Sequence, residues 1–194
     1  MSNLIRSTTE LALYLARAYA KPGMTVVDAT CGNGYDTLAL AEMNPDRLYA
    51  FDIQPVAVEA TRKLLRDNGF CDSPDCLSAC EYHFICDSHL KMAEYVASAD
   101  IILFNLGYLP GGDKSITTST ETTLDAVKAA LEILNIDGVI SITMYSGHEA
   151  GANEKARLLE FTKELDSHKY HVAYIGMHNQ ANNPPEILLI TRKN

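Results

Sequence analysis

No stretch of this chain approaches the run of about 18 apolar residues that a membrane-spanning helix needs, so no span is expected. The opening stretch MSNLIRSTTELALYLARAYA lacks a small-residue cleavage pattern and carries Glu10; it reads as an amphipathic helix and not as a secretory signal. Positive charge is scarce. Against 25 Asp and Glu there are 16 Lys and Arg, a formal net charge of -9, which argues against non-specific binding to a polyanion such as duplex DNA. Paired zinc knuckles are lacking as well: Cys71, Cys76, Cys80 and Cys86 are spaced C-x4-C-x3-C-x5-C, a poor match, and no metal is expected. With Cys31 the cysteine count is odd, and without a secretion signal that favours reduced thiols in a cytoplasm. Internal repeats and low-complexity tracts are absent. What remains is 194 residues, 47% apolar and 21% charged, in the usual range for one domain covering 1–194.

Helix-like and strand-like segments alternate along the chain. Residues 4–20 have helical spacing, with Ser7, Thr8 or Thr9 as caps, and Pro22-Gly23 breaks them. Strands are predicted over 24–29, 47–52, 81–86, 100–104, 138–145, 170–176 and 185–192. Helices are predicted over 35–43, 55–68, 89–97, 119–134 and 152–165, with a turn at 135–138. This order implies an α/β fold: a Rossmann-like, seven-stranded, mainly parallel sheet with helices on both faces. The last two strands have no helix between them, so they form an antiparallel pair at one edge.

The first strand runs into VVDATCGNGYDT. Gly32 and Gly34 let the backbone turn sharply and approach a ligand. The dinucleotide fingerprint would place a third glycine where Thr37 stands, and Asp28 beside the turn would repel a pyrophosphate but not a cation. Asp52 closes the second strand, where an acid accepts hydrogen bonds from ribose hydroxyls. Ribose, no phosphate and a positive centre together describe S-adenosylmethionine (SAM). At the end of the third strand Asp87 is placed to accept from an adenine amino group, with Ser88 or His89 against the ring.

The fourth strand ends in FNLGYLPGGDK, more amide, ring and glycine than a turn needs. Ligands in such sheets sit beyond the carboxyl ends of the strands. The side-chain oxygen of Asn105, with a following carbonyl, can orient a target amine, and Tyr108 can stack on a flat substrate. Asn105-Leu106-Gly107-Tyr108 resembles the Asn-Pro-Pro-Tyr-type motif of N-methyltransferases. Asp113, Tyr108, His148 or water can take the proton an alkylamine must lose before attack. Asn183-Pro184-Pro185-Glu186 has letters closer to that motif, but it leads into the last strand and reads as part of a substrate cleft.

DATCGNGYDTLALA, FDIQ, DSH, FNLGYLPGGDKSITT, YSGH and NNPPE, in this order, closely resemble the YtqB-like family of class I methyltransferases, long labelled rRNA methylases. Members are associated with methylating 5-aminomethyl-2-thiouridine at the tRNA wobble position. The resemblance implies cofactor contacts at Asp28, Thr30, Asn33, Gly34, Asp36, Thr37, Asp52, Gln54, Asp87, Ser88, His89 and Asn105. It implies a catalytic group of Asn105, Tyr108 and Asp113, and substrate contacts at Gly107, Gly112, Lys114, Tyr145 and His148. Three features depart from the family: LALYLARAYA in the first helix, Glu149-Ala150 after His148, and the cysteine-rich connection before the third strand.

The reading is therefore a SAM-dependent N-methyltransferase of a modified tRNA uridine, acting on the anticodon loop and gaining contact area as a homodimer. An rRNA or small-amine methyltransferase is the alternative. A nucleotide-binding oxidoreductase is disfavoured by Thr37 and Asp28, and a non-catalytic SAM-binding subunit by the intact segment from Asn105 to Tyr108.

Overall fold

The computed structural model describes residues 6–70, 79–106, 120–147 and 149–194. Among these, seven strands form one sheet: β1 Thr25–Asp28, β2 Arg47–Asp52, β3 Glu81–Cys86, β4 Ala99–Leu106, β5 Leu134–Met144, β6 Tyr170–Ile175 and β7 Glu186–Arg192. Their order across the sheet is β3-β2-β1-β4-β5-β7-β6. The first five strands in that order are mutually parallel, and β7 runs antiparallel to both β5 and β6. The expected architecture is thus present.

Among the described residues six helices cover the faces: α1 Thr8–Arg17, α2 Tyr35–Ala41, α3 Pro55–Asp67, α4 Met92–Tyr95, α5 Thr120–Ile133 and α6 Glu149–Lys163. Successive strand residues point to opposite faces, and the two cores follow from that alternation. Val26, Leu48 and Ile101 pack with Ala16 of α1, Leu40 of α2 and Leu65 of α3. Val27, Phe51 and Ile102 pack with Met92 of α4, Val127 of α5 and Leu158 of α6. Covering both faces explains why β1 and β4 read as continuous apolar runs and not as alternating ones.

Ser7 is the cap of α1: its Oγ accepts from Glu10 N at 3.1 Å, while Glu10 Oε2 accepts from Arg6 N. These two bonds start the helix at Thr8, four residues later than the predicted position 4 and with the first of the three predicted caps. Thr8 Oγ1 donates to Pro185 O at 2.9 Å, tying α1 to the start of β7.

Two segments differ from expectation. The predicted helix over 89–97 is a 3₁₀ turn, His89–Lys91, followed by the single α-turn of α4. The predicted turn at 135–138 lies inside β5. Leu134 pairs with Ala99 and Val139 with Ile101, so the intervening residues bulge out, with Asp137 at φ 59°. Asp100 anchors the bulge: its carboxylate accepts from Thr25 N, Asn135 Nδ2 and Lys21 Nζ, each at 2.9 Å. No helix among the described residues is long and apolar enough to cross a membrane.

Candidate active site

The carboxyl ends of β1, β2, β3 and β4 lie side by side, and Asp28, Asp52, Asp87 and Asn105 stand at or just beyond them. Asp28 closes β1 and is buried. Its Oδ1 accepts from Thr30 N at 3.1 Å and its Oδ2 from Thr37 Oγ1 at 2.6 Å. Thr30 Oγ1 accepts in turn from Asn105 N at 2.7 Å. Thr37, where a dinucleotide fingerprint has glycine, therefore serves as the hydroxyl partner of a buried acid.

The turn itself hangs on Asp52. Its Oδ2 accepts from Gly32 N at 3.1 Å and its Oδ1 from Gln54 N at 2.9 Å. Gly34 caps α2 at φ 84°, the left-handed region that favours glycine. A Cβ there would stand 2.8 Å from Thr61 Cα. Thr61 Oγ1 also donates to Gly32 O at 3.2 Å. Thr61 was not singled out by sequence; the signal was a polar residue in the Ala57–Thr61–Leu65 stripe that α3 buries. Replacing Gly34 by alanine should lower stability by about 2 to 4 kcal/mol, combining left-handed strain with the clash. A thermal melt checks this, and an unchanged Tm would count against the close approach.

Asn33 is exposed at the tip of the turn, and Gln54 is half-buried at the start of α3. At the end of β3, Asp87 already has three donors: Ser88 N at 2.7 Å, Lys91 Nζ at 3.0 Å and Tyr95 Oη at 2.9 Å. Ser88 caps the 3₁₀ turn by accepting from Leu90 N. His89 faces inward, with Nδ1 3.1 Å from Ala29 O and its ring edge-on to Phe104. Burial holds its pKa below the usual value, so the ring is neutral near pH 7, Nδ1 donates to that carbonyl and Nε2 remains an acceptor.

Asn105 is the second-last residue of β4 and half-buried. Its Nδ2 donates to Asp36 Oδ2, while its buried Oδ1 has no hydrogen-bond partner among the described residues. A buried acceptor without a partner is costly, and this one stands at the sheet edge where a ligand would supply the missing donor. Tyr145 follows β5 at the same edge and is exposed. Gly107, Tyr108, Gly112, Asp113, Lys114 and His148 lie outside the described residues, as do Cys71 and Cys76. Cys80 is buried and Cys86 exposed.

Three carboxyls, Asp28, Asp36 and Asp52, share this edge. Burial first, and the neighbouring Asp36 next, push the Asp28 pKa up to about 7 against the opposing hydrogen bonds from Thr37 and Thr30. Burial also raises that of Asp36, opposed by Asn105. An acid cluster strained in this way fits a cationic ligand, and an acid at the end of β2 fits a ribose. The fold and these residues define a class I methyltransferase, in which SAM brings the cation, the ribose and the methyl group to one sheet edge.

The comparisons agree. The family model described as "Putative rRNA methylase" matches residues 48–191. The chain is 37% identical over 199 residues to the chloroplastic tRNA (mnm(5)s(2)U34)-methyltransferase of Arabidopsis thaliana, covering 97% of this chain and 71% of the relative. Among solved structures, a "putative rRNA-methylase" from Clostridium thermocellum superposes with a TM-score of 0.86 at 38% identity, over 97% of this chain and 98% of that one. A "putative methyltransferase" from Streptococcus mutans in complex with SAH gives 0.83 at 33%, over 97% and 99%. This chain belongs to that rRNA methylase family and is a SAM-dependent methyltransferase.

The raised Asp28 pKa has a consequence for cofactor binding. The native apoprotein holds a proton on Asp28 between the ordinary value of 3.8 and about 7, so apoprotein stability falls as pH rises through that window. A bound cation favours the carboxylate and expels the proton. SAM affinity should therefore rise between about pH 6 and about pH 8, by at most roughly tenfold per unit below the pKa. Calorimetry in two buffers of different ionisation enthalpy measures the released proton, and the release should vanish in Asp28→Asn.

Proposed function

We propose that this methyltransferase acts on the aminomethyl nitrogen of 5-aminomethyl-2-thiouridine at the wobble position of tRNA. The observation that carries the reading is the Asn105 oxygen, buried beside the acid cluster and lacking a donor among the described residues. SAM supplies an electrophilic methyl group. Asn105 Oδ1 accepts an N–H of the target amine and fixes the direction of its lone pair, and the amine reacts only after losing a proton. Asp36 holds the Asn105 amide in the orientation that turns Oδ1 toward the substrate. Asp113, Tyr108, His148 or water takes that proton, and Lys114 is a phosphate contact by the family resemblance.

The Arabidopsis relative's named substrate supports the tRNA reading. A wobble base is unpaired, so turning it out into a pocket costs little, and recognition rests on shape and stacking more than on bulk charge. That accommodates a chain of net charge -9. We place the enzyme in the cytoplasm, as one domain that pairs with a second copy. The outermost strand β6 exposes Val172 and Tyr174, on the same side of the strand, to solvent. A monomeric mass by light scattering across a wide concentration range would contradict the pairing.

The test is methylation of tRNA from cells lacking the enzyme, followed by digestion and nucleoside mass spectrometry. Conversion of aminomethyl- to methylaminomethyl-thiouridine is expected. Methyl uptake into rRNA or a small amine, with tRNA unchanged, would replace this reading with one of those substrates.

A further inference from the structure

A second cleft opens at the same sheet edge, two strands beyond Asn105. It has a volume of about 370 Å³ and is lined by Ser146, Lys155, the β6–β7 connection including Gln180, Asn182 and Asn183, and Glu186. Its place follows from register. Met144 of β5 pairs with Leu106 of β4 on one side and with Glu186 of β7 on the other. Two strand spacings separate β4 from β7, roughly 10 Å. The cleft therefore adjoins the edge that carries Asn105.

The lining has a definite chemistry. Glu186 is held from both sides, by Lys155 Nζ on Oε2 and by Tyr174 Oη on Oε1. Burial opposes ionisation of both Glu186 and Lys155. Their mutual hydrogen bond, the Tyr174 hydroxyl and their opposite charges together offset it, keeping the carboxyl below and the ammonium above their usual values. The pair is charged but has no net charge, so the cleft is not an anion trap. What remains among the polar side chains to meet a ligand is one hydroxyl, the His178 imidazole and three side-chain amides. Planar amides offer a donor and an acceptor side by side, the complement of a nucleobase edge. Two of these amides stand on a backbone that favours glycine: Asn182 at φ 66° and Asn183 at φ 47°. Asparagine enters this region more readily than other residues with a Cβ, and the two amides are set side by side on the connection.

We infer that this cleft binds a second nucleobase of the substrate RNA, adjoining the one that is methylated, through the amides of Gln180, Asn182 and Asn183. The inference rests on the RNA reading of the methyl-transfer site. It assigns a sequence-reading role to the β6–β7 connection, with the Lys155–Glu186 pair as its rigid floor.

The test uses the full chain, SAM and a stem-loop RNA carrying the target nucleoside, with an abasic sugar placed in turn at each adjoining nucleotide. The variant is Asn182→Gly/Asn183→Gly, because glycine keeps the left-handed backbone and removes only the amides. In the unaltered enzyme one abasic position should raise KM about tenfold, the scale of one bidentate base contact, with kcat within about twofold. The variant should show that rise on intact RNA and no further rise on the abasic RNA. SAH affinity by calorimetry reports that the variant is folded; if it is not, Gln180→Ala takes its place. Equal, additive losses in both proteins, or no sensitive position, would remove the second base site while leaving the proposed function standing. Absence of methyl uptake by intact stem-loop and by whole tRNA would overturn the proposed function and this inference with it.

Discussion

Asn105→Ala should lower kcat by roughly a hundredfold while SAH affinity stays within about threefold of the unaltered enzyme. The asymmetry follows from the two ends of one amide. Nδ2 is occupied by Asp36, and Oδ1 is the buried acceptor without a partner among the described residues. On the proposed reading, removing the amide takes away the group that orients the incoming nitrogen, and orientation supplies much of the rate of an in-line displacement. It also strips Asp36 of the hydrogen bond that opposes its burial, so the Asp36 pKa climbs further. Single-turnover rates with saturating SAM isolate the chemical step. A loss confined to KM would show that Asn105 binds the substrate without aligning it.

Asp52→Ala should have the opposite profile, a loss of SAM affinity of roughly tenfold to a hundredfold measured by calorimetry. The carboxylate does two things at once. It holds the turn through Gly32 N and Gln54 N, and it stands at the end of β2 where ribose hydroxyls fall. Charged hydrogen bonds of this kind are worth about 1.5 to 3 kcal/mol each. Asp52→Asn keeps one acceptor oxygen and should recover part of the loss. Equal loss of cofactor affinity in the Asn105 and Asp52 variants would contradict the division of labour between the two strands.

Much of this architecture is legible before any coordinates. The apolar runs of β1 and β4 announce strands covered on both faces, and acids at the ends of β1 and β2 announce the ligand. What sequence hides is long-range pairing. Asn135 to Gly138 has the composition of a turn, yet it is a bulge within β5. Only the pairing of Leu134 with Ala99 reveals that the strand begins on its far side. Asp87 reads as a free acceptor, although Lys91 at the helical i,i+4 spacing was a visible sign that it would be engaged. Neither Thr61 nor Lys155 could be assigned a partner, because Gly32 and Glu186 reach them only through tertiary packing.

The position of β7 sets the order in which this molecule can be built. β7 is the last strand in sequence, yet it lies between β5 and β6. A chain emerging from the ribosome can assemble β1 to β5 by successive right-handed crossovers. β6 must then wait, with no neighbour to pair with, until Arg192 has been synthesised. Its attachment is a single late event that closes the hairpin, completes the floor of the second cleft and brings Pro185 to Thr8 of α1. The second cleft is thus withheld from every nascent chain that stops short of β7, even one whose cofactor turn has already formed.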